Sequence, residues 1–321
     1  MIDIQTLTQK ILSGETISYE TGVELIHHPE KKELYDAADT IRKHFCGNKM
    51  DLCSITNAKS GACSENCKWC SQSTHHSTNV EKYDLIDTEK AVAEASENAK
   101  NGVHRHSLVT SGRSISDRNL QNLLSIYKEI KNRSKIDLCA SMGLLSESQL
   151  IKLQEAGISH YHCNLETAPS FFPKVCSTHT IEDKIKVIQT AQKLGINVCS
   201  GGIIGLGETA EQRVELACAL ADLGIQSIPI NILTPIEGTP LAKAHALSKD
   251  EILSTIAVFR FINPRANLRF AGGRLLIKDF ENEALHAGIN SALTGNYLTT
   301  IGSDTQTDIE NFTSNGFTID V

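Results

Sequence analysis

Short apolar runs alternate along this chain with longer amphipathic segments. Strand-like runs cover Leu52–Asn57, Arg105–Thr110, Ile136–Ser141, His160–Glu166, Asn197–Gly201, Ser227–Leu233, Asn267–Phe270 and Gly288–Leu293. Helix-like segments over Thr88–Lys100, Asn119–Lys131, Glu208–Leu223 and Lys249–Phe261 lie between them. Two further helices carry clear ends. One starts at Ser146, with Gln149 three residues on in a capping-box pattern, and stops at Gly157. The other runs from Thr180 to Leu194 and closes on Gly195. Strands alternating with helices imply parallel strands joined by crossovers. Eight strand candidates favour a closed (β/α)8 TIM-type barrel over an open, doubly wound sheet. Residues 1–45, amphipathic and helical in pattern, predict an N-terminal helical extension outside a barrel formed by 46–321.

Composition narrows the class. The 40% hydrophobic and 21% charged shares of the 321 residues are those of a globular protein. The net charge of −7, with scattered Lys and Arg, argues against a nucleic-acid partner, which needs clustered basic surface. No window approaches the roughly 20 apolar residues of a membrane span. The first residues, with Asp3 early and no continuous apolar core, do not read as a secretory signal. Ten cysteines in that setting predict reduced thiols in a cytoplasmic protein, used for metal or redox chemistry rather than disulfides.

The stretch GACSENCKWCSQS spaces Cys63, Cys67 and Cys70 by three and then two residues. Thiolates are the usual ligands of iron–sulfur clusters, and close spacing lets one loop hold one cluster corner. Three ligands to a cubane leave one iron open to a substrate. The competing reading is a zinc site with His75 or His76 as fourth ligand, although paired C-x2-C hooks are absent. With Trp69 before the last cysteine, the pattern looks like the radical S-adenosylmethionine (SAM) signature. Trp69 could equally serve to pack the loop. The resemblance implies a 4Fe-4S cluster whose open iron binds SAM.

Further segments, NAKSGACSENCKWCSQS, CASMGLLSESQ, CNLET, VCSGGIIGLGET, SIPINIL, GTPL and LRFAGGR, resemble the biotin synthase family in the same order, from about Ile41 to Thr300. The resemblance implies sulfur insertion into dethiobiotin, with the sulfur drawn from an auxiliary cluster, 2Fe-2S in the family, held by three cysteines and one arginine. Carried over residue by residue, its ligands are Cys139, Cys199 and Arg269. A structural alternative for Arg269 is an ion pair with a carboxylate such as Asp137.

The family's remaining ligand, a second-strand cysteine, corresponds here to Ser107, a poorer ligand than thiolate. Three readings follow: Ser107 ligates all the same, another cysteine replaces it, or the cluster differs in composition. Cys176, in the loop after the fourth strand, is the expected replacement. Cys163 should face the helices, while Cys46, Cys53 and Cys218 read as packing residues. By parity His104 and His106 face away from Ser107.

The resemblance also implies that Asn164 contacts SAM and substrate, and that Glu166 holds the SAM ribose. Asn231 would bond the ureido ring, while Gly205 and Gly207 border the adenosyl group. The alternative for both asparagines is service to the backbone alone. A flavodoxin- or ferredoxin-type reductant and a homodimer follow from the same resemblance. The rival readings are another radical SAM enzyme on this scaffold, of lipoyl-type sulfur insertion or carbon-skeleton rearrangement, and a non-catalytic iron–sulfur electron carrier.

Overall fold

The computed structural model describes residues 2–295, 298 and 302–319. Its strands are β1 (Asp51–Lys59), β2 (Arg105–Thr110), β3 (Asp137–Ser141), β4 (His160–His162), β5 (Asn197–Cys199), β6 (Gly202–Ile204), β7 (Ser227–Ile232), β8 (Asn267–Phe270) and β9 (Ser291–Leu293). All pair in parallel. β1 joins β2 on one side and β9 on the other, and the ring closes where β7 pairs with both β5 and β6. Because β5 and β6 are two halves of one interrupted stave, nine strands make the eight positions of a (β/α)8 barrel. Closure excludes the open sheet.

The interruption has a steric cause. A Cβ on Gly201 would sit 2.0 Å from the Pro229 carbonyl oxygen, and one on Gly202 would sit 2.6 Å from that of Glu166. Only residues without side chains let these backbones approach so closely. The fourth strand stops at His162, short of the predicted Glu166, because Glu166 takes φ +75°, which no strand accommodates. The last strand begins at Ser291 rather than Gly288, whose φ is +129°. A helix over Thr305–Ser314 has no counterpart in the sequence reading.

The outer helices form where amphipathic pattern and caps agree. Full capping boxes open the helices Glu147–Glu155, Ile181–Lys193, Ala210–Asp222 and Lys249–Ile262, through the pairs Ser146/Gln149, Thr180/Asp183, Thr209/Gln212 and Ser248/Glu251. The helix Lys249–Ile262 is buried on every face from Ile252 onward, as befits a helix with layers on both sides. Its outer cover is N-terminal: α1 (Ile4–Leu12), α2 (Tyr19–Ile26) and α3 (Lys31–Cys46). α3 packs along Lys249–Ile262, α2 packs on Ala210–Asp222, and α1 packs on α3.

Arg260, fully buried in that helix, donates to the carbonyls of Gly288, Asn263, Pro264 and Ala266 and to Asn290 Oδ1. It ties the helix to the turns that lead into β8 and β9. Arg260→Met should therefore cost on the order of 3 kcal/mol by leaving buried acceptors unsatisfied. The urea midpoint of the cluster-free protein measures this, and an unchanged midpoint would contradict it.

Candidate functional site

Side chains on a strand alternate faces; on β1, β2, β3, β7 and β8 the odd-numbered residues look inward, whereas on β4 it is His162. Cys53 and Ile55 on β1, Arg105, Ser107 and Val109 on β2, Cys139 and Ser141 on β3, Pro229 and Asn231 on β7, and Arg269 on β8 line one cavity of about 390 Å³. His106 faces the other way and meets Ser54 Oγ at 2.8 Å, in line with its predicted parity.

The loop carrying Cys63, Cys67 and Cys70 follows β1 at the barrel's C-terminal mouth, and all three cysteines line the cavity. Ala62 enters this loop at φ +51°. Ala62 and Glu166 are the two non-glycine residues with positive φ among the described residues, and they flank the same space. The loop is closed by backbone bonds from Cys63 N to Gln72 O (3.0 Å) and from Thr74 N to Cys63 O (2.8 Å). His75 Nε2 lies 3.0 Å from Ser64 O and His76 Nε2 lies 3.0 Å from Cys67 O, so both imidazoles are engaged with the backbone.

Among the described residues, the group of possible metal ligands that lie within 4.8 Å of one another at this mouth is Cys67, Cys176 and His179. Three thiols on one loop are the donor set that iron–sulfur clusters use. Burial raises the thiol pKa of Cys63, and that of Cys70 to about 11, so iron must displace their protons.

Cys176 belongs to this mouth group. Its Sγ accepts from Cys67 Sγ at 3.6 Å and lies 3.4 Å from His179 Nδ1, which in turn meets Glu65 Oε2 at 2.5 Å. The Cys67 contact, with help from His179 and Thr178, pulls the Cys176 thiol far below its ordinary range. The expectation that Cys176 replaces the second-strand ligand is thereby corrected. The loop after β4 folds over the barrel mouth and carries Cys176 to Cys67, away from Ser107.

Deeper in the barrel, Cys139, Cys199, Arg269 and Ser107 all line the cavity, with Ser107 in direct register with Cys139 across β2 and β3. Arg269 pairs with Asp51 and not with Asp137, which is exposed. Arg105 Nη1 reaches the same Asp51 carboxylate at 3.4 Å. Burial pushes the Asp51 carboxyl up, but Arg269, Arg105 and His104 outweigh it and leave the group below the usual range. Ser107 Oγ, Arg269 Nε and Arg105 Nε are buried without hydrogen-bond partners. Thiols beside orphaned cationic N–H groups fit an anionic sulfide-bearing group.

Between the two ends, Asn164 accepts from Gly201 N at 3.0 Å and donates to Glu166 Oε2 at 3.3 Å. Lys184, absent from the sequence reading, places Nζ 3.7 Å from Glu166 Oε1. Asn231 accepts from Gly272 N (2.9 Å) and donates to Gly202 O (3.0 Å). Each amide keeps a free N–H and a free lone pair. Gly205 and Gly207 are not among the lining residues. Their φ values of +93° and +102° serve the turn, and Gly205 N donates to Glu208 Oε1 at 2.7 Å. Thr209 and Gln212 already cap the helix that follows.

Residues 58–220 match the Radical SAM superfamily, and residues 229–318 match the Biotin and Thiamin Synthesis associated domain. The biotin synthase of Parabacteroides distasonis is 50% identical over 98% of this chain and 97% of its own length. That of Alkaliphilus metalliredigens is 49% identical over 98% and 99%. The chain belongs to the biotin synthase family. Among solved structures, methylornithine synthase matches with a TM-score of 0.83 at 19% identity, covering 98% of this chain and 97% of that one. An FeFe-hydrogenase maturase from Carboxydothermus hydrogenoformans gives 0.81 at 17%, covering 98% and 78%. At such identities these two support the fold alone.

Within the biotin synthase family frame, several cavity residues escape sequence reasoning: Cys53, Arg105, His162 and Lys184. Trp69 lines the cavity and also packs beside Phe171, Val175 and Leu206. Cys163 is buried in the aliphatic core, yet also touches the cavity wall.

Burial lowers His106 to a pKa of about 4, from an ordinary 6.5. The folded chain then binds fewer protons than the unfolded chain between those values, so stability falls as pH drops through this window and is unaffected by His106 above it. Urea unfolding of the cluster-free protein should lose on the order of 3 kcal/mol more between pH 7 and pH 4 than His106→Gln does. Equal losses in the two proteins would remove His106 as the cause.

Proposed function

We propose that this chain converts dethiobiotin to biotin by radical SAM sulfur insertion. One observation carries the reading. A single barrel cavity has a three-thiol loop at its mouth and a thiol–guanidinium group in its depth, with amide and carboxylate side chains between. When bound, the mouth 4Fe-4S cluster supplies the electron that cleaves SAM, and the deeper cluster, 2Fe-2S in the family, supplies the sulfur.

The residues themselves bind, orient and exclude water. Glu166, held by Asn164 and facing Lys184, offers a carboxylate oxygen to the ribose hydroxyls of SAM. Asn164 stands beside it with one N–H and one lone pair to spare. Asn231, fixed by two backbone bonds, offers the donor and acceptor that a cyclic urea needs. Ile55, Val109, Pro229 and Leu293 give the cavity apolar walls, which keep water and its protons away from a carbon radical.

Ten free thiols suit a reducing, cytoplasmic setting. A flavodoxin- or ferredoxin-type reductant and a homodimer rest on the family resemblance. No described helix is long and apolar enough to cross a membrane.

Anaerobic protein incubated with SAM, dithionite and dethiobiotin should form biotin together with 5′-deoxyadenosine. Deoxyadenosine without biotin would exclude dethiobiotin as substrate and favour another radical SAM reaction on this scaffold. Glu166→Gln should weaken SAM binding about tenfold, the loss of one charge-assisted hydrogen bond. Equilibrium dialysis with the cluster-loaded protein reads this, and unchanged affinity would remove Glu166 from the SAM site.

A further inference from the structure

The deeper site lacks one thiolate where Ser107 stands, and β1 places another beside it. Cys53 is an inward residue of β1, which pairs directly with β2. Cys53 lies in register with Arg105, and Ile55 in register with Ser107. The Cys53 thiol is therefore one inward position below Ser107 on the neighbouring stave. It is 7% exposed and lines the same cavity as Cys139, Cys199 and Arg269.

Its surroundings differ from those of a packing cysteine. Arg105, Arg269, Cys139 and Cys199 face the same cavity as the Cys53 thiol. Among the described residues its thiol makes one long hydrogen bond, to its neighbour's carbonyl, Ser54 O at 3.7 Å, and Cys139 makes a matching one to Ala140 O at 3.9 Å. Cys46, by contrast, is tied to Arg260 and the carbonyls of Pro264 and Ala266 outside the barrel.

Two further atoms point to a ligand in this space. Arg269 Nε and Arg105 Nε are both buried, line this cavity and have no hydrogen-bond partner. Two guanidiniums against the single Asp51 carboxylate leave an excess positive charge, which favours thiolates and bridging sulfide.

We propose that Cys53 is the third cysteine ligand of the deeper iron–sulfur site, with Cys139, Cys199 and Arg269, and that Ser107 is not a ligand. The thiolate has moved from the second stave to the first, and a serine occupies the vacated place. This inference rests on the reading that a deeper cluster supplies the sulfur.

The test is iron and sulfide content with Mössbauer spectra on anaerobically reconstituted protein. Wild type should hold iron beyond the about four per chain that the mouth cluster accounts for. Cys53→Ala should lose that excess and its spectral component, while Ser107→Ala keeps both. The double variant Cys53→Ala/Ser107→Cys should regain the excess, which also answers a folding defect in the single variant. A Cys53→Ala protein with the wild-type excess and spectrum would overturn the proposal while leaving the deeper cluster in place. Wild type with no excess would overturn the proposal and the sulfur-supply reading together.

Discussion

Two guanidinium groups sit inside the barrel because one carboxylate, Asp51, reaches both of them. An unpaired buried cation is costly, and two would repel each other across the same interior. Asp51 stands at the start of β1, where its carbonyl also accepts from Ser291 Oγ, so the ion cluster links β1, β2, β8 and β9. Asp51 engages Arg269 through Nη2, and Arg269 Nε is left unpartnered in the cavity. The chemical character of the depth of the barrel, cationic and lined with thiols, follows from that arrangement.

The mouth is organised differently. There the constraint is backbone shape, with Ala62, at the start of the cysteine loop, and Glu166, after β4, both held at positive φ. Such conformations cost roughly 1–3 kcal/mol each and persist only where the surroundings impose them. At Ala62 the loop's own bonds do so. At Glu166 the bridge to Gly202 and the side-chain bond to Asn164 do so. The strained positions thus mark the end of the barrel where ligands enter, and the charged cluster marks the closed end.

Much of this was legible in the sequence. The family resemblance marked Cys139, Ser107 and Arg269, parity set His106 on the face opposite Ser107, and the cysteine spacing located the mouth loop. Alternation shows two faces but not which one is inward when both are apolar, as in a parallel strand covered on both sides. Cys53 falls within a predicted strand and was still read as packing for that reason. Cys176 was misassigned because its position depends on how the loop after β4 folds back, and local pattern carries no such information. The glycines at 205 and 207 resemble a ligand-facing turn in sequence, while their positive φ serves only the turn itself.

The barrel closes through a narrow seam. β5 meets β7 at a single residue pair, Cys199 with Ser227, before the stave breaks and β6 takes over. Cys199 therefore sits at the mechanical weak point of the ring. A group fastened to Cys139, Cys199 and Arg269 would bind β3, β5 and β8 together and act as a rivet across that seam.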